Sequence, residues 1–116
     1  MAFSTKLLDQ KLAQIRQQNE RDRQRLLAKA LSWLQQNGER FGICGGYLFG
    51  SMTQPGRFTQ HSDLDLAVDT LAVGNPFGLS SYLSTDLDRD VDIVPLDQCH
   101  FADKIRQTGL QWSTKR

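Results

Sequence analysis

From Thr5 to Gln36 the chain contains neither Pro nor Gly and is dominated by good helix formers. That predicts one long helix, or two stacked helical segments, ended by Gly38. Two apolar stripes run along it at helical spacing: Leu8, Leu12 and Ile15, then Leu27, Ala30, Leu31 and Leu34. Arg16 to Arg25 between them offers no apolar face. The pattern divides the chain into an N-terminal helical arm, 1–25, and a domain, 26–116, on which the second stripe packs. The arm either frays in solution or lays its stripe against a partner or a second copy.

Beyond Gly38 the period shortens. Ile43 to Phe49 reads as a buried strand, closed by Gly50-Ser51 and a loop with Pro55 and Gly56 that runs to Ser62. Strict alternation in Asp63 to Asp69 places Leu64, Leu66 and Val68 on the core face, so Asp63 and Asp65 share the opposite one. A loop through Gly74-Asn75-Pro76 leads to a short helix, Phe77 to Leu87, and then to a third strand, Val91 to Val94, stopped by Pro95. On that strand Asp92 points away from Val91 and Ile93. Leu96 to Thr108 reads as a final amphipathic helix capped by Gly109. The order helix, strand, strand, helix, strand, helix predicts an α/β (α+β) fold, a small mixed sheet with flanking helices.

A length of 116 residues with 39% hydrophobic and 23% charged positions suits one domain. The mean hydropathy is −0.47, and no apolar run nears the roughly eighteen residues of a membrane span. Met1 to Leu8 lacks the apolar core of a secretory signal. A soluble, cytoplasmic protein with no membrane partner is the expectation. The net charge of +1 argues against a long nucleic acid as direct partner. Locally the charge is uneven: residues 1–40 carry eight basic and four acidic side chains, residues 41–116 six and nine. All nine of those acids are aspartates, the short carboxylate of compact divalent-cation sites. Cys44 and Cys99, with only His61 and His100, complete neither a disulfide scaffold nor a zinc site, and read as reduced and structural.

Two carboxylates at i and i+2 on a strand stand about 7 Å apart at Cα on one face, close enough to share metal ions. Alone, Asp63 and Asp65 are a common solvated pair. Context adds Gly50, which lets backbone amides approach a phosphate, Ser51, whose hydroxyl is a further donor, and Asp92 on the next strand. Asp86, Asp88 and Asp90 read as solvated or turn-forming, His61 as polar surface, and Trp33 and Trp112 as packing residues.

Leu48-Phe49-Gly50-Ser51, eleven intervening residues, Asp63-Leu64-Asp65-Leu66 and then Val91-Asp92-Ile93-Val94 resemble the nucleotidyltransferase fold of the DNA polymerase beta type. More narrowly they resemble the minimal nucleotidyltransferases that serve as antitoxins to HEPN ribonuclease toxins. The resemblance spans roughly Leu26 to Gly109. It implies that Gly50 and Ser51 hold a nucleoside triphosphate, ATP, and that Asp63, Asp65 and Asp92 are catalytic and bind two magnesium ions. It also implies transfer of AMP to a toxin hydroxyl, usually tyrosine, within a hetero-oligomer. Family members often carry a tighter Gly-Ser-x-Ala-Arg-Gly turn. Here the segment reads Gly50-Ser51-Met52-Thr53-Gln54-Pro55-Gly56-Arg57, with Arg57 standing in for that arginine. No room remains for a separate acceptor-binding domain, so the acceptor comes from a partner. The competing expectation is a silent antitoxin of this fold that neutralises its toxin by binding alone.

Overall fold

The computed structural model describes residues 5–69 and 76–114. Helix α1 runs without interruption from Thr5 to Asn37, so the expected division at residue 25 falls inside one helix. Gly38 ends it as anticipated, opening a 3-10 turn to Phe41 that closes on left-handed Gly42. The remaining elements are β1 (Gly45–Phe49), a 3-10 turn at Ser51–Thr53, β2 (Leu64–Val68), α2 (Pro76–Leu87), β3 (Val91–Pro95), α3 (Ala102–Thr108) and β4 (Leu110–Ser113). The loop expected through Gly74 and Asn75, and the first four residues, lie outside the described residues.

The sheet has strand order β3-β2-β1-β4. β1 pairs antiparallel with both β2 and β4, and β2 pairs parallel with β3 through the α2 crossover. One face carries Leu48, Leu64, Leu66, Val68 and Trp112, packed under Leu26, Ala30, Trp33 and Leu34 of α1 and Leu79 and Leu83 of α2. Ala67 on the other face packs with Leu96, Ala102 and Ile105 around α3, flanked by Tyr47 and Phe49. The alternation in β2 thus produces the predicted core face, and both tryptophans pack as expected. Trp33 also donates from Nε1 to Asp86 at 2.6 Å, tying α1 to the end of α2.

Four expectations are corrected. The final helix is broken: Leu96–Gln98 forms a 3-10 turn, and α3 starts only at Ala102. Gly109 then leads into β4, which the alternation of so short a segment did not reveal; its backbone groups are satisfied only because the β1 edge lies beside it, Leu48 opposite Leu110. The polar run Arg16–Arg25 does contain a buried residue. Arg23 lies against the domain, donating Nη1 to the Met52 carbonyl at 3.3 Å and Nε and Nη2 to Glu20 at 2.9 and 2.6 Å. A buried guanidinium is tolerated because those acceptors satisfy it. Its hydrogen bonds, with a further one from Gln24, pull the half-buried Glu20 carboxyl down to about 2. Finally, both cysteines are free thiols, but Cys44 is exposed because it follows inward-facing Ile43 in extended chain; only Cys99 is half-buried.

The arm stripe stays outside the core, with Leu8, Leu12 and Ile15 exposed at 58%, 41% and 55%. No helix among the described residues is long and apolar enough to cross a membrane. Leu66 is wholly buried between sheet and helices. Leu66→Ala is expected to cost about 2–5 kcal/mol through lost transfer energy and the cavity left behind, checked by urea unfolding.

Candidate active site

The register of the sheet assembles the site. Phe49 is opposite Asp65 across β1–β2, and Asp65 is opposite Asp92 across β2–β3. Because β1 runs antiparallel to β2, Gly50 and Ser51 leave β1 at the edge where β2 begins. Asp63 stands one residue ahead of β2 on the same face as Asp65 and is exposed. Asp65 is half-buried and Asp92 exposed.

Gly50 is in contact with Asp65. Its φ of 80° favours glycine, and a Cβ added there would run into Asp65 Oδ2. The 3-10 turn that follows is held by the Thr53 amide and hydroxyl, donating to the Gly50 carbonyl at 3.1 and 2.8 Å. Ser51 opens that turn, where the first amides have no acceptor inside it. Arg57 is exposed farther along the loop, its Nη1 donating to Gln54 Oε1 at 3.3 Å.

The structure therefore brings together Gly50, Ser51, Asp65 and Asp92 at one edge of the sheet, with Asp63 beside them, and sets Arg57 on the neighbouring loop. Burial, then the charges of Asp92 and Asp63, push the Asp65 carboxyl from an ordinary 3.8 up to about 6. No salt bridge to any of the three aspartates occurs among the described residues. Uncompensated oxygen donors of this kind suit a hard divalent cation. The side chains do not converge: among the described residues no three His, Cys, Asp or Glu groups are close enough to enclose an ion. Carboxylate oxygens are the donor type magnesium takes, and holding it would require the exposed Asp63 and Asp92 to draw in toward the half-buried Asp65.

Arg89 was not singled out from the sequence. Its guanidinium donates to the Ser62 carbonyl at 2.6 Å and the Gln60 carbonyl at 3.3 Å, and lies 4.9 Å from the Phe58 ring centre. It thereby fixes the chain just ahead of Asp63. The same arginine lines a cleft of about 370 Å³ with His61, Asp63, Ser84, Asp88 and Asp90. The cleft meets the aspartate cluster only at Asp63, so it is a lateral approach to the site rather than the phosphate cradle. An arginine between two turn aspartates carries no local signal of this role; its acceptors are 27 and 29 residues away. Asp88 has a left-handed φ of 52°, in keeping with the turn role expected for it.

No protein-family model and no curated protein matches the sequence. Solved structures do. The chain is similar to a crystal structure of the toxin–antitoxin MntA–HepT carrying a tyrosine-to-alanine mutation, at 33% identity over 76% of this chain and 72% of that one, with a TM-score of 0.55. It is similar to a MntA–HepT structure without a stated mutation at 26% identity over 79% and 74%, TM-score 0.53. A third MntA–HepT structure, in which two aspartates two positions apart are changed to glutamate, matches at 28% identity over 76% and 73%, TM-score 0.54.

Folding raises the Asp65 pKa, so the native state takes up this proton more readily than the unfolded chain. The cost of its ionisation is absent below about 3.8, grows from there to about 6 and is complete above. Linkage sets its ceiling near about 3 kcal/mol, and solvent screening of a half-exposed group reduces it to about 1–2 kcal/mol. Asp65→Asn removes it. The variant is expected to be more stable than the parent by that amount near about pH 8 and equal to it near about pH 3.5, measured by denaturant unfolding at both pH values without added metal. Arg89→Ala is expected to cost about 1–3 kcal/mol, since it strips a charged donor from carbonyls of the loop. Faster amide exchange confined to residues 58–63 in that variant checks the clamp.

Proposed function

The chain belongs to the family of MntA, the minimal nucleotidyltransferase antitoxin paired with the toxin HepT, and from that premise we propose that it is a magnesium-dependent protein adenylyltransferase. It moves AMP from ATP to a hydroxyl, most readily a tyrosine, of a HEPN-type ribonuclease toxin. The observation that carries this reading is the abutment of Gly50 on the Asp65 carboxylate, with Asp92 in register beside it. That adjacency supports a reading in which the Gly50 turn takes phosphate and the carboxylate pair takes cations on one edge.

Asp63, Asp65 and Asp92 would hold the two magnesium ions. Bound there, magnesium supplies charge neutralisation on the phosphoryl oxygens and acidifies the acceptor hydroxyl. The side-chain-free backbone at Gly50 offers its turn to a phosphate, and the Ser51 hydroxyl donates to a phosphoryl oxygen. Arg57 swings from Gln54 to the triphosphate tail. The acceptor oxygen bonds to the α-phosphorus as the bond to the bridging oxygen breaks and pyrophosphate leaves. The Asp92 carboxylate, exposed on the outer side of β2, accepts the hydroxyl proton. Arg89 does not touch the reacting atoms; it holds the segment that presents Asp63.

An added AMP brings a phosphate into a ribonuclease centre and repels RNA phosphates there, so a modified toxin stays inactive after the antitoxin is removed. The expected outcome is a toxin whose intact mass, after co-expression and separation, has risen by one or more AMP units with the wild type and by none with Asp63→Asn. An unmodified toxin that regains ribonuclease activity on separation would replace this reading with neutralisation by binding alone.

A further inference from the structure

Eighteen residues make about five full turns of an α-helix. Leu8, Leu12 and Ile15 therefore lie at the same azimuth of α1 as Leu26, Ala30 and Trp33, eighteen positions later, which are buried on the domain. The arm stripe is the core-facing stripe continued past the end of the core. The chain measures 64 × 28 × 26 Å, its long dimension drawn out by a 33-residue helix. From Thr5 to Gln14 that helix projects for roughly 15 Å at about 1.5 Å per residue.

We propose that this stripe is a self-recognition surface on which the arms of two copies pack antiparallel. In the heptad frame set by Leu8, Leu12 and Ile15, Leu12 of each copy meets the partner's Ile15, and Leu8 crosses the partner's Asn19. The flanking charges select this arrangement. Asp9 faces the partner's Arg16, twice by symmetry, and Lys11 faces the neutral partner's Gln18. A parallel pair would instead set Lys11 against the partner's Arg16, two like charges. Shape agrees with charge. Asn19 walls a cleft of about 220 Å³ with Pro55 and Phe58 and another of about 370 Å³ with Ile15, Thr59 and His61. The partner's Leu8 enters at their shared rim, beside the loop that connects Ser51 to Asp63. Three apolar side chains per copy give an interface smaller than the roughly 1,200 Å² of stable complexes, so the dimer is a weak one. The inference does not rest on nucleotide transfer.

The test is sedimentation equilibrium of the chain alone, without toxin or nucleotide, up to several hundred micromolar, with far-UV circular dichroism to confirm that each variant remains folded. These positions are outside the core, so folding is retained. The wild type is expected to dimerise, and Leu12→Asp to raise the dissociation constant at least tenfold. Arg16→Asp is expected to raise it severalfold, and Asp9→Arg combined with Arg16→Asp to restore it to within about threefold of the wild type. Positions 9 and 16 are too far apart to touch within one helix, so restoration is intermolecular. A monomeric wild type at the highest concentration, a Leu12→Asp variant that dimerises equally well, or a charge swap without restoration would each overturn the proposal. A wild type that is monomeric alone but loses toxin binding with Leu12→Asp would assign the stripe to the toxin instead.

Discussion

Asp65 sits on the second strand of a four-stranded sheet, half-buried, with a like charge opposite it on β3 and a glycine against its carboxylate. Burying a carboxylate beside other carboxylates is unfavourable, and nothing within the core requires it. The strand registers impose it. With Leu64, Leu66 and Val68 committed to the α1–α2 face, Asp65 has only the other face to occupy, and sliding β2 by one residue would invert the whole core. The acidic cluster is thus paid for by the hydrophobic pattern of the strand that carries it.

The same constraint shapes the surroundings. Gly50 must lack a side chain because the Asp65 carboxylate occupies the space a Cβ would fill, and its φ of 80° turns the chain off the sheet into the Ser51 turn. Arg89 holds the far end of the long loop by its carbonyls, so the segment entering β2 is fixed from the α2–β3 side while its start is fixed by β1. A loop that is clamped at both ends can hold charged groups together without a hydrophobic core of its own.

Helix α1 serves both halves of this arrangement. Arg23, bonded to Glu20 and to the Met52 carbonyl, ties the helix to the domain at the residue after Ser51. N-terminal to the clefts that Asn19 and Ile15 share with the loop, Leu8 and Leu12 continue the apolar stripe, both exposed. A helix whose core face outruns its core sets Ile15 beside Thr59 and His61, in the loop that leads to Asp63.

Much of this was legible in the sequence. Period and composition specify α1 and its stop at Gly38, the alternation of Leu64, Leu66 and Val68 specifies the face on which Asp63 and Asp65 fall, and Pro95 marks the end of β3, because each of these depends on contacts within a few residues. The Gly-Ser, Asp-x-Asp and third Asp pattern predicted neighbours, and the sheet register brings those residues to one edge. Tertiary structure alone decided the rest. β4 exists because β1 offers it an open edge, and Arg23 is buried because the Met52 carbonyl, 29 residues on, accepts a hydrogen bond from it. Arg89 acquires a role only when the chain before Asp63 is folded back beside it. Those interactions join residues far apart in sequence, and their energies are set by distances that exist only after the sheet has closed.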